Sequence, residues 1–194
     1  MIVLGAPDFA DVAPFPHYGW DQVLPESTAH DVLAWFENDA PWNLRIASFY
    51  EQYEFSLLVS SPPAVLEALV SADTIAKLAS DLRELFKFDR DLVLVDVSAH
   101  RLTAGQTIRV HNDYLGSEET HRLLIQFNCG WSIEDGGLLM LFGSDAAKDI
   151  HSALLPSHGS AFAFEISPRS FHAVSKVNAG ERYTLVYTFR AAID

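Results

Sequence analysis

Apolar residues change their spacing along this chain, and each change marks a different kind of element. From Pro25 the segment PESTAHDVLAWFEND places Val32, Leu33, Trp35 and Phe36 on one face, starts near Glu26 or Ser27, and is stopped by Pro41, which predicts a helix. Trp42 to Val59 is dense in aromatic and branched residues and reads as one or two strands. SSPP then breaks the chain, and apolar positions three and four apart resume through Phe88, with a second helix start at Ser71 or Asp73. Beyond Asp89 the texture becomes that of short strands: LVLVDVSAHRL, TIRVH, HRLLIQFN, GLLMLF, SAFAFEI, FHAVSKV and RYTLVYTFR, separated by Gly, Asn, Asp, Ser and Pro clusters. Such a series predicts a sandwich, jelly roll or barrel. Helices come before most strands, so they are expected to pack on one face of a β core. The expected organisation is one α+β domain over residues 1–194, with helical and strand support over 1–90 and the β core over 91–190.

Composition narrows the function classes. Hydrophobic residues make up 49% and charged ones 20%, an ordinary globular balance able to fill a core. The formal net charge of −13 argues against nucleic acid and anionic membranes as partners, and makes each arginine a local exception. A single cysteine, Cys129, excludes an internal disulfide and fits a reducing compartment. The N-terminal residues lack the basic start of a secretory signal, and no apolar run reaches the roughly 18 residues that span a bilayer. A cytoplasmic location is the expectation. No internal repeat is visible.

Candidate chemistry begins at His111 and Asp113, two apart at the end of TIRVH. Eight histidines and 26 acids make such a pair expected by chance, so alone it favours a strand end with a solvated aspartate. A second element changes the balance. His172 opens HAVSKV, Asn178-Ala179-Gly180 offers a turn, and RYTLVYTF returns, so antiparallel pairing within that hairpin is expected to bring Arg182 near His172. Two histidines and one carboxylate on one face of a metal leave positions open for other ligands. An arginine fork nearby suits a carboxylate bound bidentately, and Thr184 points to the same side of its strand as Arg182.

With those residues in place the chain resembles the Fe(II)/2-oxoglutarate-dependent dioxygenases, and within them the prolyl-4-hydroxylase-like group. The likeness runs from about Leu92 to Phe189 and is weaker over FPHYGWDQVLPESTAHDVLAWFE. His-x-Asp and a distant His fall on His111, Asp113 and His172, and the arginine ten residues later falls on Arg182. Gly105 precedes the first histidine by six, and LIQFNCGWSIEDGGLLMLF is similar to the group's Leu-Asn, Trp and Gly-Gly-x-Leu segment. The resemblance implies a double-stranded β-helix, a jelly-roll variant, with Fe(II) held by His111, Asp113 and His172. It implies 2-oxoglutarate held by Arg182 and Thr184, with Gln126 and Leu124 on a neighbouring strand, and O2 as co-reactant. It further implies hydroxylation of an unactivated C–H of an amino-acid side chain, in a peptide or protein or as a free amino acid or other small molecule.

The chain also departs from the group. A tyrosine usual on the strand before the first ligand is missing from SAHRLTAG, where His100 or Arg101 stands nearest, and a second usual tyrosine is replaced by Gln126. Arg122 shares a strand face with Leu124 and Gln126, and reads either as a surface residue or as a clamp for an anionic substrate group. Arg109, on the face of His111, has the same two readings, while Tyr114 either lines a substrate mouth or packs on its loop. His17, His30, His121, His151 and His158 have no partner at ligand spacing and read as structural or exposed. The rival readings are a cupin-like protein, opposed by Asp113 in place of that motif's second histidine and by the lack of a glutamate at the expected spacing, and a non-catalytic jelly-roll binding protein, opposed by retention of His111, Asp113, His172 and Arg182 together. Oligomeric state is left open.

Overall fold

The computed structural model describes residues 2–116 and 118–193. Two short strands, β1 (Phe9–Asp11) and β2 (His17–Trp20), precede helix α1 (Glu26–Asn38), which starts directly after Pro25 and buries Ala29, Val32, Leu33 and Phe36. The aromatic segment after Pro41 folds as a hairpin of two strands, β3 (Asn43–Ile46) and β4 (Glu51–Ser56). A short turn of helix, α2 (Ala64–Glu67), leads into α3 (Ala72–Leu85). Ser71 caps α3 by accepting a hydrogen bond from the Thr74 N–H at 3.3 Å, which satisfies one of the donors a helix start leaves open. Eight strands follow: β5 (Leu92–Thr103), β6 (Ile108–His111), β7 (His121–Gln126), β8 (Leu139–Phe142), β9 (Ile150–Leu154), β10 (Ala161–Glu165), β11 (His172–Val174) and β12 (Glu181–Ala191).

The strands form two sheets, in the orders β1-β2-β10-β7-β12-β5-β4-β3 and β6-β11-β8-β9. Alternation along β12 shows how they are used. Its odd residues Tyr183, Leu185, Tyr187 and Phe189 pack with Val32 and Phe36 of α1 and Leu78 and Leu82 of α3 in the main core. Its even residues Arg182, Thr184, Val186 and Thr188 face a cavity between the sheets. One face of the large sheet is therefore covered by helices and the other by the small sheet, as expected for a jelly-roll core with N-terminal helices on one face.

One expectation needs correction. β11 and β12 are not a hairpin: β11 pairs with β6 and β8 in the small sheet, whereas β12 pairs with β5 and β7 in the large one. The Ser175–Gly180 segment crosses between the sheets, with an isolated bridge from Val177 to Gly136. Arg182 and His172 consequently meet across the cavity rather than along a ladder. Within the first 90 residues, β1 to β4 extend the large sheet at both edges.

Candidate metal and cosubstrate site

The cavity between the sheets has a volume of about 630 Å³, and His111, Asp113 and His172 all line it. His111 ends β6 and pairs directly with His172 on β11, which puts the two imidazoles side by side with ring centroids 4.2 Å apart. Asp113 follows in the turn with φ of 59°, a left-handed conformation that aspartate tolerates better than most residues. That turn swings its carboxylate back between the histidines, with Oδ1 3.3 Å from His111 Nε2 and Oδ2 3.2 Å from His172 Nε2. One donor atom from each of the three residues lies within 4.8 Å of the others, the only such group among the described residues.

The second nitrogen of each ring settles its tautomer. His111 Nδ1 lies 2.8 Å from the Arg109 carbonyl and His172 Nδ1 lies 2.8 Å from the Ser170 carbonyl. A carbonyl only accepts, so Nδ1 of each ring carries a proton, which leaves Nε2, on the Asp113 side, as the nitrogen that a metal would take. Burial pushes His172 below the usual histidine range. Burial opposes ionisation of Asp113, but the charge of Arg122 outweighs it and holds the carboxyl well below the usual carboxylate range. The set of two imidazoles and a carboxylate suits a divalent first-row metal.

Arg122 is neither a surface residue nor a free clamp. Its guanidinium lies in the cavity wall and donates to Asp113 Oδ2 at 2.7 Å and to Glu119 Oε2 at 2.9 Å. Both acids are therefore spoken for, and Arg122 holds the Asp113 carboxylate in place. Arg109 is exposed, stays outside the cavity lining and hydrogen-bonds the Ser48 carbonyl. Tyr114 lines the cavity and is 43% exposed, as a residue at its mouth would be.

Arg182 stands across the cavity and is only 4% exposed. Its Nε donates to the Gly137 carbonyl at 2.8 Å and one terminal nitrogen donates to Thr184 Oγ1 at 2.7 Å. Burial lowers its pKa to about 10, and no acid offsets that shift. A buried guanidinium without a carboxylate beside a cavity fits an incoming carboxylate, such as one end of a 2-oxo diacid. Thr184 lines the cavity too, but its hydroxyl proton goes to Gln126 Oε1 at 2.8 Å. Gln126 does not reach this cavity; it borders a smaller one of about 220 Å³ and braces Thr184 from behind. Leu124 supplies apolar wall beside them.

Sequence reasoning missed several lining residues. His100, not Arg101, faces the cavity, and burial lowers its pKa to about 4. Phe49, from the β3–β4 turn, stacks on His111 with centroids 4.6 Å apart. Gln52, Glu54, Asp96 and Ser98 complete a polar wall on β4 and β5. Only the register of β5 against β12 puts His100 beside Thr184, and no local motif carries that information.

Comparison with known proteins adds independent findings. Residues 97–189 match the family model of the 2OG-Fe(II) oxygenase superfamily. The chain is 24% identical over 185 residues to a prolyl 3,4-dihydroxylase of Ostreococcus tauri, aligning 87% of this chain but spanning only 36% of that protein's length. Among solved structures, a Pseudomonas putida prolyl-4-hydroxylase superposes with a TM-score of 0.72 at 19% identity, over 91% of this chain and 93% of that one. A Trichoplax adhaerens prolyl hydroxylase solved with a hypoxia-inducible-factor peptide fragment superposes with a TM-score of 0.67 at 12% identity, over 90% and 83%. At those identities the structural matches establish a shared fold.

Proposed function

We propose that this chain, whose residues 97–189 match the model of the 2OG-Fe(II) oxygenase superfamily, is a dioxygenase hydroxylating an unactivated C–H of an amino-acid-type substrate. The observation that carries the reading is the pairing of two unsatisfied features in one cavity. Two imidazole Nε2 atoms and a carboxylate converge, and a buried arginine opposite them pairs with no acid among the described residues.

His111, Asp113 and His172 would hold Fe(II), and Arg182 would hold the distal carboxylate of 2-oxoglutarate. When bound, the metal and cosubstrate supply oxidative hydroxylation with O2, releasing succinate and CO2. The chain's own residues supply position. The Arg109 and Ser170 carbonyls fix both imidazoles with Nε2 toward the centre, and Arg122 keeps the Asp113 carboxylate ionised and oriented. Thr184 and Gln126 fix the guanidinium of Arg182, and the Gly137 carbonyl fixes its Nε. Leu124, Leu139 and Val186 give the cavity an apolar wall that limits water around the reacting atoms.

A proline-type residue in a peptide is the substrate class favoured by the likeness to the prolyl hydroxylases, with a free amino acid or related small molecule the other. Asp113→Ala should abolish succinate formation from 2-oxoglutarate and reduce Fe(II) binding by at least tenfold; unchanged metal affinity contradicts the assignment. No helix among the described residues is long and apolar enough to cross a membrane.

A further inference from the structure

The two histidines of the candidate metal site are mounted differently. His172 lies on β11, between β6 and β8 of the small sheet, is buried, and meets the Phe164 ring at a centroid distance of 4.9 Å. His111 ends β6, the outer strand of that sheet, whose one neighbour in the sheet among the described residues is β11. One backbone carbonyl, that of Arg109, fixes its Nδ1 at 2.8 Å. A single hydrogen bond fixes one atom of an imidazole but lets the ring pivot about it. A second contact is needed to set the plane in which Nε2 points at a metal.

The β3–β4 turn supplies that contact from the large sheet. Three consecutive turn residues are fastened to β6. The Ser48 carbonyl accepts from the Arg109 guanidinium, the Phe49 carbonyl accepts from the Arg109 N–H at 2.9 Å, and Tyr50 bridges Ile108. Arg109 is thus the joint: its N–H and side chain hold the turn while its carbonyl holds His111. Seated this way, the Phe49 ring stacks on the His111 ring with centroids 4.6 Å apart and planes 30° from parallel. Phe49 also lines the cavity, so its ring stands beside the converging donors. The turn lies outside residues 97–189, so the match to the family model carries no information about this contact.

We infer that Phe49 is a positioning residue of the metal centre, whose stacked ring sets the imidazole plane of His111. This rests on the reading of His111 as a metal ligand. The β3–β4 hairpin is thereby a working part of the site as well as an extension of the large sheet. The role requires a flat aromatic ring; apolar bulk at the same position does not fulfil it.

The test is anaerobic calorimetric titration of metal-free protein with Fe(II), followed by 2-oxoglutarate with the visible band recorded. It compares wild type with Phe49→Leu, Phe49→Met and Phe49→Tyr, with circular dichroism as the control for folding. Leucine and methionine keep apolar bulk without a ring, and tyrosine keeps the ring. Both ring-less variants should bind Fe(II) about three- to tenfold more weakly and shift the band maximum, whereas Phe49→Tyr should match wild type in both readouts. Wild-type Fe(II) affinity in a folded ring-less variant, or an equal loss in Phe49→Tyr, overturns the inference. If wild type binds Fe(II) but gives no band with 2-oxoglutarate, the oxygenase reading fails, and the Fe(II) affinities still decide the role of Phe49. If wild type does not bind Fe(II), both fall.

Discussion

At the scale of single residues, the site depends on how few atoms fix the ligands. Each histidine is oriented by one backbone carbonyl two residues earlier in the chain, a relation set by strand geometry. Asp113 is different: it is oriented by a side chain nine residues away, Arg122, through a charge-assisted hydrogen bond of 2.7 Å. Arg122→Met should therefore lower Fe(II) affinity by about 10- to 100-fold while the fold persists, measured by metal titration with circular dichroism as control. Wild-type affinity in that variant contradicts the positioning role. His111, Asp113 and His172 were legible as a candidate set, because His-x-Asp and a later His with Arg182 ten residues on form a recognisable pattern. The role of Arg122 was not legible, since it depends on Asp113 and Glu119 meeting at one guanidinium. The role expected for Gln126 also changed, from cosubstrate contact to brace, because Thr184 stands between it and the cavity.

At the scale of elements, strand parity explains most of what the chain pattern foretold. Even residues of β12 face the cavity and odd ones face the helices, so Arg182 and Thr184 were correctly read as sharing a face. Pairing was the harder problem. Alternating patterns predict a strand but do not name its neighbour, and the turn at Asn178–Gly180 joins two sheets instead of closing a hairpin. β2 was also missed, because four residues between Pro16 and Asp21 carry too little period to read, although its His17, Gly19 and Trp20 are buried against β10 and β1. The Gly136-Gly137 turn ahead of β8 has a specific task. Gly137 has φ of 63°, its carbonyl receives Arg182 Nε, and a Cβ there would lie 2.9 Å from Arg182 Cδ. Gly137→Ala should raise the 2-oxoglutarate requirement several-fold with Fe(II) affinity retained, measured by KM for the cosubstrate beside metal titration. On the helical side, Phe36 is fully buried against Phe127 and Tyr183, so Phe36→Ala should destabilise the fold by about 3–5 kcal/mol in denaturant unfolding.

At the scale of the whole molecule, the helical layer and the small sheet divide labour across the large sheet: one side stabilises and the other encloses the candidate site. His121 belongs to the first side. It is fully buried between Phe86 and Phe88, its Nε2 has no partner, and burial lowers its pKa to about 4. The unfolded chain takes up that proton near the ordinary histidine value of about 6.5. Stability is thus complete above about pH 6.5, falls as the pH drops toward 4 because the unfolded form binds more protons, and loses up to about 3 kcal/mol from this group. Denaturant unfolding of metal-free His121→Leu should show a shallower loss over that window than wild type. An identical slope excludes His121 as a source.

The central claim is that one cavity assembles an iron centre and a carboxylate anchor from residues on opposing sheets. Its most direct test is the anaerobic visible spectrum of metal-free protein on adding Fe(II) and then 2-oxoglutarate, in wild type and in Arg182→Ala. The account predicts a weak charge-transfer band in wild type that needs both additions, and in Arg182→Ala a band requiring at least tenfold more 2-oxoglutarate. No band in wild type at saturating concentrations, or the same 2-oxoglutarate dependence in both proteins, contradicts it.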